Sequence, residues 1–461
     1  MRAGRGAGVL LAQANGCSRF QSRDGLPARG GDDVTPTVLA ARKENVKAYR
    51  ISLAVCADWS AVGVAASLPW STSATGILIA LWLISILPTL DRAKLQQELL
   101  TPAGGLPAVL WLLAAAGMTW AGVPWAERIE GLGGFHKLLA IPLLLAHFRR
   151  SEKALWVLAA FLLSCTALLA TSYFLALWPG LTWRGVRAGL GVPVKDYIAQ
   201  SGEFAICLFV LLAIGQSLAR TRPWASLGLF ALAILFLLNF VYVETGRTTL
   251  AVTVILLLLF AFRQFGWKKG GLVLLAAMLF AVAIWESSPF LRARLGGMPQ
   301  EIERYWKENA SSSAGERLEF WKRSASFIAD APVLGHGTGA IRELFRQSAV
   351  GDNGPSALIS PNPHNQTLAV AIQLGLVGAA VLYAMWIGHL YLFRAGGLAA
   401  WVGLVIAAQN IVSSLFNSHL FDFTQGWIYV FGVGVAGGAV LRRKAKARAT
   451  QSPLLERKLD R

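Results

Sequence analysis

The chain has 461 residues, 55% of them hydrophobic and only 15% charged, with a mean hydropathy of +0.51; a soluble protein carries about a quarter charged residues. The apolar residues come as separate runs of roughly 17–25 residues, the length that crosses a bilayer. This excludes an ordinary soluble domain, and the missing ten-residue alternating segments exclude an outer-membrane barrel. The formal net charge of +18 sits mostly at run ends and in the tails, so orientation in a membrane explains it and nucleic acid is not an expected partner.

Residues 1–47 are rich in Gly, Arg and Ala and hold no long apolar run. The patch GVLLA is too short for the core of a signal peptide. The stretch reads as a disordered basic tail or as an over-long start. Residues 48–441 then read as an all-α polytopic membrane domain of about twelve transmembrane helices. The expected spans are 51–70, 73–90, 106–125, 134–148, 154–178, 203–219, 224–243, 249–263, 271–290, 366–391, 397–416 and 425–441. Asp58 in the first span is costly in lipid unless it faces protein or water. Cys17, Cys56, Cys165 and Cys207 have neither a disulfide framework nor metal-like spacing.

With the N-terminus inside, most of the 43 Lys and Arg residues fall on inner segments such as DRAKLQQ, RRSEK, RQFGWKK and the basic tail 442–461, as the positive-inside rule requires. Three segments then share the outer face: 183–200, the turn ETGRTT at 244–249, and a long loop at 291–365. A loop of that length is usually functional. Its stretch EIERYWKENASSSAGERLEFWKRSASFIAD has helical spacing, with Tyr305, Trp306, Leu318, Phe320, Trp321 and Phe327 as its apolar members. Two helices broken around Ser311–Gly315 and lying on the membrane face are expected.

Candidate chemistry follows the same order. Arg184, Arg187 and Lys195 form an outer basic group suited to an anionic ligand. Arg247, beside Gly246 and with hydroxyls on Thr245, Thr248 and Thr249, suits an oxyanion, because its planar fork binds phosphate in a bidentate way. Arg317 lies at the start of the second loop helix, where Ser312 or Ser313 can be the N-cap and Glu316 a capping residue. His364 sits in PNPHN, stiffened by Pro361 and Pro363 at the mouth of an apolar run, and an imidazole there can exchange protons near neutral pH. Asn365 can cap the following helix. His336 and His419 also lie outside. No Walker A loop, GxSxG or HExxH is present, which argues against ATP-driven, serine-hydrolase and zinc-hydrolase mechanisms. Nor is there a DxD pair to hold a metal and a nucleotide sugar.

The strings ETGRTT, GERLEFWKRSASFIADAPVLGHGTG and PNPHNQTLAVAIQLGLVG resemble, in order, spacing and sidedness, the O-antigen ligase family. That family shares its late region with O-antigen polymerases and bacterial protein O-oligosaccharyltransferases. The resemblance covers roughly residues 50–441 and is strongest at 244–380. It implies a glycosyltransferase on the periplasmic face of the bacterial inner membrane, with both termini cytoplasmic. The donor would be a polysaccharide on undecaprenyl pyrophosphate and the acceptor a sugar hydroxyl of lipid A–core. By the same resemblance Arg247 and Arg317 hold the diphosphate and His364 activates or aligns the acceptor. The reaction inverts the anomeric centre and calls for no metal, nucleotide or other cofactor. Arg184, Arg187, Lys195 and Asn365 are added as residues binding the diphosphate or the lipid A–core. A polymerase or a protein O-oligosaccharyltransferase is the alternative within the class, and the short tail after the last span favours the ligase. Outside the class, twelve spans also suit a transporter, although no repeat joins the halves and the polar candidates lie at one face.

Overall fold

The computed structural model describes residues 36–181, 191–243 and 246–459. Among them the regular elements are all helical, as expected of segments whose backbone groups must pair internally in lipid. Residues up to Tyr49 form a unit of their own. That unit includes the start of α1 (Pro36–Ser67), so helix begins inside the stretch read as a tail.

From Arg50 onward the chain builds a helical bundle. It continues through α2 (Thr72–Ile86), α3 (Arg92–Leu99), α4 (Pro102–Gly117), α5 (Trp125–His136), α6 (Ala140–Phe148), α7 (Ala154–Leu177), α8 (Tyr197–Leu218), α9 (Pro223–Tyr242) and α10 (Arg247–Ser287). Four shorter helices follow: α11 (Pro289–Gly296), α12 (Met298–Glu308), α13 (Ser313–Asp330) and α14 (Ile341–Gln347). The chain ends with α15 (Gln366–Leu392), α16 (Leu398–Ser413) and α17 (Phe423–Leu459). Side-chain oxygens start many of these helices. Ser71, Thr101, Asp196, Ser312 and Asn365 each accept a hydrogen bond from a first-turn N–H, satisfying donors that a helix cannot pair itself.

Among the described residues eight helices are long and apolar enough to cross a membrane, or nine if the bent pair α3 and α4, angled at 84°, counts as one span. About twelve were expected. The difference lies in specific places. The expected span 51–70 falls in α1, whose apolar run is interrupted by Asp58, and α16 has only 16 residues. The expected spans at 249–263 and 271–290 lie within the single element α10. A straight helix of its 41 residues would hold its ends about 60 Å apart. Yet the hydroxyl of Tyr242, just before its start, meets that of Ser287 at 2.7 Å. The chain reverses at Gly266, which has φ 68°, a conformation open to glycine.

A second reversal matters more for the site. The predicted span 366–391 is not one straight helix, because Gly375 breaks α15 with φ 63°. Thr367 and Tyr383 join their hydroxyls at 3.1 Å, whereas an unbroken helix would separate these residues by about 24 Å along its axis. The segment PVLGHGTG takes up backbone groups around the break. His336 N–H donates to Ile372 O at 2.9 Å, Gly337 N–H to Gln373 O at 2.9 Å, and Leu376 N–H to Pro332 O at 2.8 Å. A Cβ on Gly375 would run into the Val333 carbonyl. Gly375→Ala is therefore expected to destabilise the protein by at least about 1–2 kcal/mol, read as a lower midpoint of thermal unfolding in detergent.

Two helices form here, α12 and α13, with the break at 309–312 where 311–315 was expected, and Ser312 is the N-cap of α13. Tyr305, Phe320 and Phe327 are buried, whereas Trp306 is exposed. A small second core gathers Phe320 and Phe327 of α13, Ile341 and Phe345 of α14, and Ala369 and Ile372 of the first arm of α15. This core fixes α13 against the arm that begins just after His364.

Candidate active site

His364 is held by its backbone as well as its ring. Its φ is 53°, a left-handed conformation that histidine adopts more readily than most residues and that recurs at functional sites at a cost of about 1–3 kcal/mol. The Asn362 side chain stabilises this turn, accepting from the His364 N–H at 2.8 Å and from the Ser418 hydroxyl at 2.7 Å. The imidazole lies nearly parallel to the Phe320 ring, with centroids 5.8 Å apart and planes inclined by 13°.

The ring's tautomer follows from its partners. Asn417 donates its amide N–H to the Asp422 carboxylate at 3.0 Å. A carboxylate only accepts, so the other end of that amide, Oδ1, must face His364. Nδ1 of His364 lies 2.9 Å from that oxygen, and Asn362 Nδ2 donates to the same oxygen at 3.0 Å. Nδ1 therefore carries the proton and Nε2 keeps its lone pair. Lys137 anchors the far end of the chain of bonds, donating to the carbonyls of Phe421 and Asp422 at 2.9 and 2.7 Å. Burial lowers the His364 pKa below 6.5, and the nearby Arg317 charge lowers it further, while Asn417 and Asp422 pull the other way. The ring is thus mostly neutral at pH 7.

Arg317 projects from the first turns of α13. Its Nη1 donates to Ser313 Oγ at 3.0 Å, and its Nε is buried with no hydrogen-bond partner among the described residues. Burial lowers its pKa. Tyr197, Glu316 and Glu301 oppose that shift and the charge of Arg247 adds to it; a guanidinium stays charged regardless. Arg317 thus lies within electrostatic reach of both His364 and Arg247.

Arg247, the first residue of α10, forms a bidentate ion pair with Glu301 of α12, one arm of it at 3.0 Å. Glu301 also accepts from the Ala314 N–H at 3.3 Å, so a single carboxylate links the starts of α10 and α13. Six side chains in these contacts were not singled out in the sequence: Lys137, Glu301, Asn362, Asn417, Ser418 and Asp422. In the run FNSHLFDF the sequence points only to His419, yet its Asn417 contacts the catalytic candidate and its Asp422 holds Asn417. His419 is buried with Nδ1 2.9 Å from Asp422 Oδ2, and His336 places Nε2 2.8 Å from the Phe327 carbonyl.

The remaining candidates divide into two that bond to backbone carbonyls or amides and two outside the described residues. Asn365 accepts from the Leu368 N–H at 3.1 Å as the N-cap of α15 and donates to the Leu415 carbonyl at 3.0 Å, so its amide is engaged with backbone. Lys195, also at positive φ, donates to the Leu68 carbonyl. Arg184 and Arg187 lie outside the described residues.

Residues 205–383 match the family model described as O-antigen ligase, so the resemblance read from the sequence is borne out over the stretch that carries Arg247, Arg317 and His364. The chain is also similar to an uncharacterized protein of Haemophilus influenzae, 28% identical over 178 residues; the match spans 37% of this chain and 43% of that protein.

Proposed function

We propose that this multi-pass membrane protein is an O-antigen ligase. It transfers a polysaccharide from undecaprenyl pyrophosphate to a sugar hydroxyl of lipid A–core on the periplasmic face of the inner membrane. The observation that carries the reading is the Asp422–Asn417–His364 chain of hydrogen bonds. It leaves a neutral imidazole with Nε2 as the acceptor, near the charge of Arg317, which in turn lies near Arg247.

In the proposed step Nε2 takes the proton of the acceptor hydroxyl while that oxygen bonds to the anomeric carbon from the face opposite the phosphate. The bond from the anomeric carbon to the phosphate oxygen breaks, and the electron pair leaves with the diphosphate. Charge moves from the acceptor oxygen to the leaving group and ends beside Arg247 and Arg317. Guanidiniums fixed in a partly buried site stabilise such charge more than water does. The imidazolium passes its proton to solvent. Much of the rate comes from holding two lipid-bound substrates in line.

The test is transfer by the purified protein in liposomes, from a polyprenyl-diphosphate glycan to lipid A–core. A product on lipid A–core is expected, at a rate that EDTA leaves unchanged because the arginines supply the positive charge. A product made only of longer lipid-linked glycan would indicate a polymerase. Modification of protein hydroxyls would indicate a protein O-oligosaccharyltransferase, and solute flux without transfer would indicate a transporter.

A further inference from the structure

A cavity of about 850 Å³ opens beside the hydrogen-bonded chain that holds His364. Three turns wall it: the one between α1 and α2, the one before α8, and the one leading into α17. Asn417, which contacts His364, and Asp422, which accepts from Asn417, both belong to its lining. The rest of the wall is mixed. Thr72 and Asp196 line it together with the apolar Val194, Ile198 and Phe423, and Trp70 adds an indole. The Trp70 indole is fixed by a 3.0 Å hydrogen bond from Nε1 to Ser164 Oγ.

Charge narrows the ligand class. Two carboxylates, Asp196 and Asp422, line the cavity against one ammonium, Lys195, which is already bonded to the Leu68 carbonyl. That balance disfavours a diphosphate. Hydroxyl, amide and carboxylate groups around an aromatic ring suit a neutral sugar, whose hydroxyls both donate and accept and whose C–H face packs on an indole. The volume lies within the range of small-ligand sites, about 300–1,000 Å³. We propose that this cavity is a carbohydrate subsite that holds sugar residues of one substrate beside His364, separate from the arginines that meet the diphosphate. The proposal rests on the glycosyl-transfer reading above. The sugar comes either from the acceptor or from the donor glycan.

The test uses two lipid-free probes on the full-length protein in nanodiscs: core oligosaccharide released from lipopolysaccharide, and the repeat-unit oligosaccharide without diphosphate. Saturation-transfer NMR is expected to show binding of one of them, which identifies the source. Trp70→Ala and the cavity-filling Thr72→Trp should each weaken that binding at least tenfold, and Trp70→Phe should restore most of it. In the transfer assay the same variants should raise KM for the matching substrate at least tenfold and leave kcat within about twofold. Unchanged thermal unfolding of Thr72→Trp controls for folding. Transfer with both KM values unchanged in Trp70→Ala and Thr72→Trp overturns the subsite alone. Oligosaccharide binding that these variants abolish, without any glycosyl transfer by the wild type, keeps the subsite and removes the ligase reading. Failure of both oligosaccharides to bind the wild type also overturns the subsite.

Discussion

Replacing His364 by alanine is expected to lower the transfer rate by about 10²–10⁴-fold, the range for loss of a general base, with little change in affinity for the lipid-linked donor. Wild-type transfer by purified His364→Ala protein would remove the imidazole from the mechanism. The pH profile separates a base from a positioning group. A base works when neutral, so activity falls as pH drops through its pKa. Burial and Arg317 lower the pKa of His364, which places that fall below pH 6.5 and a plateau above it. Asn417→Asp puts a carboxyl group against Nδ1 that also faces Asp422; the pair shares a proton, and its negative charge, now in contact with the ring, stabilises the imidazolium. The acid limb should then move to higher pH, with the plateau rate largely retained. Asn417→Leu removes the bond that selects the tautomer, so the plateau itself should drop. An acid limb that does not move in Asn417→Asp would mean that the limb does not report His364.

The helices and the three central candidates were legible because each carries a local signal. Apolar runs of bilayer length mark the spans, and asparagine before such a run marks a cap, as at Asn365. What sequence could not supply was direction. Nothing in QTLAVAIQLGLVG says that Gly375 turns the chain back on itself, because glycine is tolerated within helices and only the docking of 332–337 makes the break stable. The same limit applies to Gly266 in α10. The supporting residues were hidden for a related reason. Asn417 and Asp422 lie more than fifty positions from His364, and the packing of two turns brings Asn417 to its ring and Asp422 to Asn417. Glu301 looked like one charge among several on an amphipathic helix, and its role appears only when α12 docks beside Arg247.

Arg317→Ala is expected to cost about 10²–10³-fold in turnover, the loss typical when one preorganised donor to developing charge is removed. Its effect should exceed that of Arg317→Lys, which keeps the charge but loses the planar fork. Arg317→Ala should also raise the pKa of His364, because the positive charge that depresses it is gone, and the acid limb should move to higher pH. Arg247 differs, since its fork is already occupied by Glu301. An incoming diphosphate must either displace that carboxylate or sit beside its negative charge, and both oppose binding. Glu301→Gln keeps the size and hydrogen-bonding reach of the side chain but removes the charge. It should therefore bind a polyprenyl diphosphate more tightly, by about three- to tenfold, equivalent to about 0.7–1.4 kcal/mol. The gain should vanish in the Arg247→Ala background, because the two residues act as a pair. Weaker binding in Glu301→Gln would mean that the carboxylate aims Arg247 at the ligand and does not compete with it.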